Sequence, residues 1–595
     1  MERGTPERLA RPREGQSLEN VADLIVAHLD AMGVEYVFGV PGGAIEPIFD
    51  ALARSERRGG PRIVTSRHEA GAAFMADGYA RESGRLGVCI ATSGPGATNL
   101  ITGVACAHEN GVPLLAITGQ PQLPTFGRRA LQESGCTGIN TLGMFRHCTR
   151  YDTLVSHPGQ AAAKIYGAIA HALQARAAAH LSLPVDIQRC AVPPGTPAPT
   201  SAIGRQLGLA GMFDPDAVDA LHAELEQASQ PVFVIGCGAG RAVDAFLRLI
   251  ERLGARFVTT PDAKGFVNPA HPLYRGVFGF AGHAEARAVL SDGPDLIVAI
   301  GVSMGEWTSA GWSDSLLNDR LVHVDVSREH AVRSAMARLH IIGDPLAVAR
   351  RLIARQGEGH GVIPARAERV LPRTGPIPAP LSPGVRPQVL MEVLSERCPP
   401  SVQFVADAGN STAWAIHHLE LNDRRTRDID APEGEGEAVA RNPLASWLRV
   451  LMDFAPMGWA IGAAVGIAMA RRGLPVVCLT GDGSLLMNGQ EITVAEQEGL
   501  PVVFVVLNDG AYGMVKHGQR LAGAEPIGFR LPDCDLAAMA RAMGVKGVTV
   551  RDEAALAALD LPGLLARQAP ALIDVRVDGE QEPPIRMRLE ALGTA

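Results

Sequence analysis

The sequence lacks the cysteine spacing of a zinc site or of a disulfide framework. Its nine cysteines are scattered along the chain, and no two of them form a C-x-x-C pair. Small secreted proteins and zinc-binding modules depend on close cysteine spacings. The pattern therefore argues against both classes and is typical of a protein in a reducing compartment, so we expect a cytoplasmic location.

Long apolar runs and blocks of positive charge are also missing. The longest apolar run covers residues 456–470. A membrane-spanning helix needs about 20 residues, so this run predicts a buried helix instead. The first residues, MERGTPERLARPREG, contain arginines but no apolar core, which argues against a signal peptide. The net charge is -8 without a basic block, so we expect neither nucleic acid nor an anionic membrane as a partner.

The composition is that of a large globular protein with several domains. Hydrophobic residues make up 47% and charged residues 20% of the 595 residues. Two proline-rich stretches, 191–204 and about 357–387, are predicted to be linkers. They leave three predicted domains, at 17–190, 205–356 and 387–580.

Each of the three segments alternates short β-branched apolar runs with helical patterns. Such alternation predicts parallel strands joined by helices, and therefore an α/β fold of three doubly wound domains. A polar, charge-mixed insert at 421–442 interrupts the third segment and is predicted to be an exposed loop. Nine of the runs are predicted strands: VEYVFGV, RLGVCIAT, PLLAITG, PVFVIG, DLIVAIG, LVHVDV, VQFVAD, LPVVCLT and PVVFVVLND.

The most informative stretch covers residues 474–514. One predicted strand ends in Gly481-Asp482-Gly483-Ser484, and the next ends in Asn508-Asp509-Gly510. Ligands of doubly wound sheets bind outside the carboxyl ends of the strands, so both carboxylates are predicted to lie at that edge. Two such oxygen ligands suit Mg2+ or Ca2+, and the glycines would let backbone amides approach a diphosphate. The alternative is that both aspartates only form turns.

Three patterns in the first segment carry little information singly. Glu69 follows Arg67 and His68 and begins a helix of small residues, where an acid also interacts favourably with the helix dipole. The sequences GVPGG at 39–43 and ATSGPGATN at 91–99 each predict a glycine-rich turn after a strand. Each pattern alone fits an ordinary turn or helix start, so only their order along the chain is informative.

In that order, VFGVPGG, RHE, SGPGATN, TGQ and the GDG…ND element resemble the thiamine diphosphate (ThDP) enzymes of the acetolactate synthase and pyruvate oxidase group. The resemblance covers about residues 17–580. It implies that the first domain binds the aminopyrimidine and that the third binds the diphosphate through Mg2+. It also implies that the pyrimidine domain of one subunit meets the diphosphate domain of another, which gives an obligate homodimer or a dimer of dimers.

The resemblance assigns roles to residues of the third domain. Asp482, Asp509 and the carbonyl of Ala511 would hold the metal. Met457 would support the bent cofactor, although it also fits an ordinary core methionine. Many relatives carry Asn-Asn where this chain has Asn508-Asp509, and an acid there remains a competent ligand. The other residues implied around the cofactor are Gly409, Asn410, Ser411, Thr412, Gly483, Ser484, Tyr512, Gly513 and Met514.

In the first domain, the resemblance makes Glu69 the carboxylate that hydrogen-bonds the pyrimidine ring. That bond would favour the imino tautomer, whose exocyclic nitrogen can remove the thiazolium proton. Arg150 stands where acetolactate synthases have a lysine, so a positive charge would be retained at this position. The alternative is that Arg150 is an ordinary surface arginine. The residues implied around the pyrimidine and the reacting carbonyl are Pro41, Gly42, Asn99, Gln120 and Gln132.

The sequence departs from the acetolactate synthases at positions that matter for substrate choice. Gly518 and His517 stand where those enzymes have a tryptophan and a glutamine, which predicts a wider acceptor pocket unless other groups refill it. Ser303, in GVSMGEW, stands where they have an arginine that touches flavin and substrate. The sequence DAGNST replaces a Gln-His pair that is common at the diphosphate site.

The middle domain carries a less specific pattern. In GCGAGR and HVDVS, Gly236, Arg241 and Asp325 resemble a dinucleotide-type site. In relatives, this site holds FAD, ADP or nothing. FAD is therefore one expected occupant, with the other two as alternatives.

Together these motifs predict a ThDP- and Mg2+-dependent carboligase of the acetolactate synthase type. Such an enzyme decarboxylates a 2-oxoacid such as pyruvate and adds the carbanion to a second carbonyl. A simple 2-oxoacid decarboxylase and a sulfoacetaldehyde acetyltransferase-like enzyme are the alternatives within ThDP enzymes. An inactive ThDP-binding regulatory paralogue is a different class, but it would be expected to have lost Glu69 or the metal motif. The sequence does not indicate whether a small regulatory subunit binds.

Overall fold

The computed structural model describes residues 18–197, 199, 212–355, 374–421 and 446–585. The predicted loop at 421–442 lies outside these residues except for Leu421, as do residues 198, 200–204 and 357–373 of the two predicted linkers. Within the described ranges the chain forms three six-stranded parallel sheets flanked by helices. The prediction of three doubly wound α/β domains is confirmed, and all nine predicted strands are present.

Eighteen strands lie in the described ranges. The first sheet contains β1 Tyr36–Gly39, β2 Arg62–Thr65, β3 Gly87–Ala91, β4 Leu114–Gln120, β5 Tyr151–Leu154 and β6 Ala178–Pro184. The central sheet contains β7 Pro231–Ile235, β8 Arg256–Thr259, β9 Tyr274–Val277, β10 Leu296–Ile300, β11 Leu321–Asp325 and β12 Leu339–Ile342. The third sheet contains β13 Gln403–Ala406, β14 Leu448–Arg449, β15 Val476–Gly481, β16 Val502–Asn508, β17 Lys546–Val550 and β18 Ala571–Arg576.

The first and third sheets share one topology. Their strand orders are β2-β1-β3-β4-β6-β5 and β14-β13-β15-β16-β18-β17, which are the same when counted within each sheet. The central sheet differs, because its order β9-β8-β7-β10-β11-β12 is the doubly wound order 3-2-1-4-5-6. Central strands such as Val502–Asn508 are buried along their whole length. Helices cover both faces of a parallel sheet, which is why these strands appear as unbroken apolar runs in the sequence.

The α-helices of the described ranges connect and cover the strands. They are α1 Val21–Ala31, α2 Glu46–Glu56, α3 Glu69–Ser83, α4 Pro95–Glu109, α5 Thr141–Arg146, α6 Ala161–Ala175, α7 Val185–Arg189, α8 Pro215–Gln227, α9 Val243–Leu253, α10 Ala284–Ser291, α11 Arg328–Val332, α12 Pro345–Arg355, α13 Pro387–Arg397, α14 Asn410–His418, α15 Trp459–Ala470, α16 Asp482–Asn488, α17 Ile492–Gln497, α18 Gly513–Leu521, α19 Leu536–Ala542, α20 Glu553–Ala558 and α21 Leu561–Leu565. The predicted buried helix in the apolar run 456–470 corresponds to α15. None of the helices in the described ranges has the length and apolar character that a bilayer crossing requires.

The contacts divide the chain into two compact units. One contains Met1–Leu209 and Gly462–Arg471, and the other contains Ala210–Ile461 and Arg472–Ala595. In the first unit, residues 462–471 pack against α3 so closely that a side chain at Gly466 would collide with the carbonyl of Met75.

The second unit holds the central and third sheets. They share an apolar cluster that includes Val277 and Phe280 from the central segment and Leu390 and Trp447 from the third segment. The two sheets are therefore joined by a common core within this unit.

Candidate active site

The carboxyl ends of the third sheet border a large cavity. Its volume is about 870 Å³, and its walls include the loops that follow β13, β15, β16 and β18. These four strands lie side by side in the sheet. All the predicted diphosphate and metal residues except Thr412 line the cavity: Gly409, Asn410, Ser411, Met457, Asp482, Gly483, Ser484, Asp509, Ala511, Tyr512, Gly513 and Met514.

Asp482 and Asp509 form a buried acidic pair in this cavity. Asp482 begins α16 directly after β15, and Asp509 directly follows β16. Burial, and then the charge of Asp509, raise the pKa of Asp482 to about 7. Burial also raises the pKa of Asp509 to about 6, against the opposing effect of Lys516. A divalent cation would offset both the burial and the repulsion, so the pair fits a metal site.

The pair would need further ligands. Nowhere in the described ranges do three or more His, Cys, Asp and Glu side chains group as a metal site would require. Asn410 offers another oxygen, since its Oδ1 is buried and has no hydrogen-bond partner within the described structure. A side chain at Gly513 would lie 2.5 Å from both Asn410 Nδ2 and Asp509 Oδ2, so this glycine leaves the space between them open. Asn410 and Gly513 therefore fit the predicted diphosphate and metal site.

The start of α14 is held by its own side chains. The hydroxyls of Ser411 and Thr412 donate to the carbonyl oxygen of Asp407, at 2.8 and 2.6 Å. Gly409 adopts φ +120°, a conformation that strongly favours glycine. Thr412 therefore contributes to the shape of the loop and does not line the cavity, while Ser411 does both.

Met457 touches the glycine turn after β15. Its Cε lies 3.3 Å from the position that a Cβ of Gly483 would occupy, and two ring carbons of Tyr512 lie 2.6 and 2.9 Å from the same position. Only a residue without a side chain fits between Met457 and Tyr512. All three border the cavity, a position that is compatible with the predicted support of a cofactor by Met457.

The sequence analysis missed Asp407, which organises this region. The carboxylate is fully buried and accepts hydrogen bonds from the backbone N–H of Gly458 and from Thr480 Oγ1, the latter at 2.8 Å. Ser484 also hydrogen-bonds to it, and these bonds oppose the rise in its pKa that burial causes. In the sequence, Asp-Ala-Gly resembles a simple turn, and no local spacing indicates these distant donors.

In the first unit, Glu69 begins α3 and its carboxylate is mostly buried. Asn99 Nδ2 donates to Glu69 Oε2 at 3.0 Å, so two predicted residues lie together. The other oxygen, Oε1, lies 3.3 Å from the position of a Cβ on Gly96. His68 caps the helix by accepting a bond from the N–H of Ala70, so Glu69 is not needed for that role.

The other predicted pyrimidine residues occupy loops at the same edge of the first sheet. Pro41 and Gly42 follow β1, and a side chain at Gly42 would lie 2.5 Å from Thr92 Cβ. Gln132 has a left-handed backbone and lies against Gly94. Gln120 ends β4 and is fully buried, and Ser134 donates to its Oε1 from both its N–H and its hydroxyl.

Arg150 lies at the other edge of the first sheet. It is exposed and precedes β5, and its N–H donates to the carbonyl of Ala178 at the beginning of β6. Because β5 and β6 are parallel, this is the amino-terminal edge of the sheet, opposite the loops around Glu69. Within this unit the structure does not bring Arg150 together with Glu69.

The predicted dinucleotide residues of the central domain lie at the carboxyl ends of their strands. Gly236 follows β7 and Asp325 ends β11, where its carboxylate accepts bonds from Ser327 N–H and His330 Nδ1. Arg241 is exposed. The N–H of Gly238 donates to the carbonyl of Gly301, so this turn packs against the loop after β10 instead of offering that amide to a phosphate. The occupant of this site, FAD, ADP or nothing, stays a prediction.

Three family models match the chain in this order. They describe the N-terminal, central and C-terminal domains of thiamine pyrophosphate enzymes and match residues 19–139, 218–352 and 437–575. Among curated proteins, IlvB2 of Mycobacterium tuberculosis is 32% identical over 95% of this chain and 99% of its own length. The acetolactate synthase isozyme 2 large subunit of Escherichia coli is 31% identical over 94% of this chain and 96% of its own length. An acetolactate synthase of Arthrospira platensis is 30% identical over 94% of each chain.

The matches cover all three sheets and both groups of predicted site residues. The chain therefore belongs to the thiamine pyrophosphate-dependent enzymes.

Proposed function

We propose that this protein is a ThDP- and Mg2+-dependent carboligase of the acetolactate synthase type. It would release CO2 from a 2-oxoacid such as pyruvate and join the remaining acyl unit to a second carbonyl compound. The buried Asp482–Asp509 pair, at the end of two neighbouring strands and beside a glycine turn, is the observation that carries this proposal. The names of the two acetolactate synthase relatives support the reaction type.

The residues of the second unit would hold the cofactor and the metal. Asp482, Asp509 and the carbonyl of Ala511 would bind Mg2+, and the glycine-lined start of α14 would face the diphosphate. Met457 would support the cofactor from the cavity wall. When bound, ThDP supplies the carbanion chemistry that these side chains lack.

Residues of the first unit would act on the pyrimidine. The Glu69 carboxylate, oriented by the amide of Asn99, would hold a proton at the ring nitrogen. Because the family resemblance implies that the pyrimidine domain of one subunit meets the diphosphate domain of another, we further propose a homodimer or a dimer of dimers. The boundaries 17–190, 205–356 and 387–580 stay our proposal for the domains. The scattered spacing of the nine cysteines, without a C-x-x-C pair, supports a reducing, cytoplasmic environment.

The test is an incubation of purified protein with ThDP, Mg2+ and pyruvate, followed by NMR. Acetolactate with release of CO2 would support the carboligase. Acetaldehyde alone would indicate a decarboxylase, and acetyl phosphate formed from sulfoacetaldehyde and phosphate would indicate the acetyltransferase. Failure to consume any 2-oxoacid would contradict the proposal, provided that ThDP and Mg2+ bind.

A metal-binding measurement tests the acidic pair independently of turnover. Asp482→Asn should weaken Mg2+ and ThDP binding together, because the diphosphate is held through the metal. Asp535→Asn is a control, since Asp535 is an exposed cap of α19 outside the cavity. Equal affinities in both variants would remove the metal role of Asp482.

A further inference from the structure

The chain leaves β18 beside the loop that carries Asp509 and forms a turn at residues 577–581. The N–H of Val577 donates to the carbonyl of Asn508 at 3.1 Å, so the 577–581 turn begins next to the residue that precedes Asp509. A side chain at Gly579 would lie 2.9 Å from Asp509 Cβ, closer than two such carbons can pack. The backbone of Gly579 therefore lies directly against the Asp509 side chain. Four residues of the turn line the cavity: Val577, Asp578, Gly579 and Gln581.

The segment before α13 holds one side of the 577–581 turn. Asp578 accepts the N–H of Leu381 at 2.7 Å and the hydroxyl of Ser382, and its own N–H donates to the carbonyl of Val385 at 2.9 Å. These bonds do not involve α18. The turn thus has an anchor that remains when contacts with α18 are removed.

Lys516 of α18 holds the other side of the turn. Its side chain is mostly buried, and its Nζ donates to the carbonyl of Gly579 at 2.8 Å and to Glu580 Oε1 at 2.7 Å. His517 Nε2 donates to the same carbonyl at 3.1 Å. Two adjacent residues of α18 thus hold the carbonyl of the glycine that contacts Asp509.

The pair of Lys516 and Glu580 is buried mainly on the lysine side. The side chain of Lys516 is 8% exposed and that of Glu580 is 40% exposed. Taking an ammonium out of water costs free energy that its partner recovers only in part, and replacing buried pairs by apolar side chains is often neutral for stability. Stability alone is therefore a weak reason for a lysine here. An ammonium that bonds a carbonyl and a carboxylate at once does fix the position of both.

The surroundings of the Asp509 carboxylate differ at its two oxygens. Oδ1 accepts the N–H of Ala511 at 3.2 Å. Gly513 leaves the space beside Oδ2 open, and Gly579 supports the Cβ. The direction of the open oxygen therefore depends on the place of the 577–581 turn. Groups that orient a metal-binding carboxylate usually affect metal affinity without touching the metal.

We propose, building on the metal site of the proposed function, that Lys516 is a positioning residue for Asp509. Through Gly579 and Glu580 it holds the 577–581 turn against Asp509 and so fixes this carboxylate for Mg2+. All these residues belong to the second compact unit. The role of Lys516 is geometric, because a positive charge beside a metal site disfavours a second cation.

The experiment measures Mn2+ binding to the whole protein in the presence of ThDP, from the loss of the EPR signal of free Mn2+. Mn2+ takes the same oxygen ligands as Mg2+. Lys516→Met should raise the dissociation constant of Mn2+ by about 10- to 100-fold. Removal of the positive charge alone would lower it, so the sign separates positioning from electrostatics. The double variant Lys516→Met with Glu580→Gln keeps the net charge and leaves neither charge unpaired, and it should bind Mn2+ as weakly as Lys516→Met.

Two further variants are controls for charge and for folding. Lys516→Arg keeps a cation with donors for both Gly579 and Glu580, and it should restore most of the affinity. Arg520 bonds the other oxygen of Glu580 from one helical turn further along α18, and within the described ranges it does not bond Gly579. Arg520→Met should therefore bind Mn2+ like the wild type. Thermal unfolding without metal or ThDP checks that each variant is folded.

The outcomes distinguish the role of Lys516 from the proposed function. If the wild type binds Mn2+ and Lys516→Met binds it equally or more tightly, Lys516 does not position Asp509. Equal losses of affinity in Arg520→Met and Lys516→Met would also overturn the role, because the bond to Gly579 would then not matter. A wild type that binds no Mn2+ with ThDP would contradict the proposed function itself, together with the role of Lys516.

Discussion

Both carboxylate oxygens of Asp407 accept the backbone N–H of Gly458, at 3.1 and 2.9 Å. Gly458 directly follows Met457 and has a left-handed backbone, with φ +87°. The same carboxylate accepts Thr480 Oγ1, two residues before Asp482. One buried acid therefore ties the Met457 segment to the strand that presents Asp482.

We predict that Asp407→Ala reduces stability and cofactor binding together. The substitution leaves buried N–H and hydroxyl donors without an acceptor, which costs about 2–5 kcal/mol in unfolding free energy. Because Met457 and Asp482 lose their common support, the dissociation constant of ThDP should rise by at least about tenfold, equal to 1.4 kcal/mol. Denaturant unfolding and ThDP titration measure the two effects.

Thr480→Val is the control for Asp407, because it removes one donor and leaves the carboxylate in place. It should lower stability by about 1 kcal/mol and change ThDP affinity little. If Asp407→Ala behaves like Thr480→Val, Asp407 does not organise the site.

The sequence predicts the strand ends well and the long-range contacts poorly. Asp482 and Asp509 could be placed together because the carboxyl ends of adjacent parallel strands share an edge, so the strand pattern alone determines their proximity. Asp407 lies in an equally ordinary turn, yet its donors come from residues 51 and 73 positions away. Trp307 likewise borders the cavity, where its ring stacks on that of Phe280 from another loop, and no periodicity encodes that contact.

The two glycines of the Gly481-Asp482-Gly483 turn should differ in their tolerance of alanine. A Cβ on Gly483 would lie 2.6 Å from a ring carbon of Tyr512, so Gly483→Ala must displace that ring or Met457. A Cβ on Gly481 meets no atom within 4 Å. We expect Gly483→Ala to destabilise the fold by about 1–3 kcal/mol and to weaken ThDP binding, while Gly481→Ala leaves the stability unchanged.

Thermal unfolding and ThDP titration of both variants decide between these outcomes. The pair is closely matched, since the same methyl group is added two residues apart. Equal losses of stability in the two variants would mean that the whole turn is sensitive to added side chains and that the contact with Tyr512 does not cause the effect.

Lys264 joins the central domain to the end of α14. Its Nζ is fully buried and donates to the carbonyls of Ala415 and Ile416, at 3.2 and 2.6 Å, and to that of Leu419. Burial lowers the pKa of this lysine from 10.5 to about 7. The Lys264 amino group thus lies at the carboxyl end of the helix whose amino end borders the predicted diphosphate site.

The lowered pKa of Lys264 predicts the direction in which folding stability changes with pH. Between about pH 7 and the unfolded value near 10.4, the unfolded chain binds the proton and the folded chain does not. Folding stability should therefore rise with pH across this window, by up to about 1.4 kcal/mol per pH unit. In Lys264→Met this contribution is absent, so the difference in unfolding free energy between wild type and variant should change with pH. A constant difference from pH 7 to 10 would mean that the three carbonyls keep the ammonium charged.

Glu69 could act on the pyrimidine or only stabilise the start of α3, and a comparison with Glu46 separates these two roles. Glu69 and Glu46 are each the first residue of a helix, α3 and α2, so both are placed to interact with a helix dipole. Such an interaction contributes about 0.3–1 kcal/mol, and both Gln variants should lose roughly that amount of stability. Only Glu69 is mostly buried and bonded to Asn99, whereas Glu46 is exposed.

If Glu69 holds the proton at the pyrimidine, Glu69→Gln should lower kcat by about 100-fold or more, because general acid–base groups contribute that much. ThDP should still bind, since the diphosphate site lies in the other compact unit. Glu46→Gln should keep full activity. The measurements are kcat with pyruvate, ThDP affinity and unfolding free energy for both variants. Full activity in Glu69→Gln, with stability lowered as in Glu46→Gln, would reduce Glu69 to a helix-start residue and remove it from the proposed mechanism.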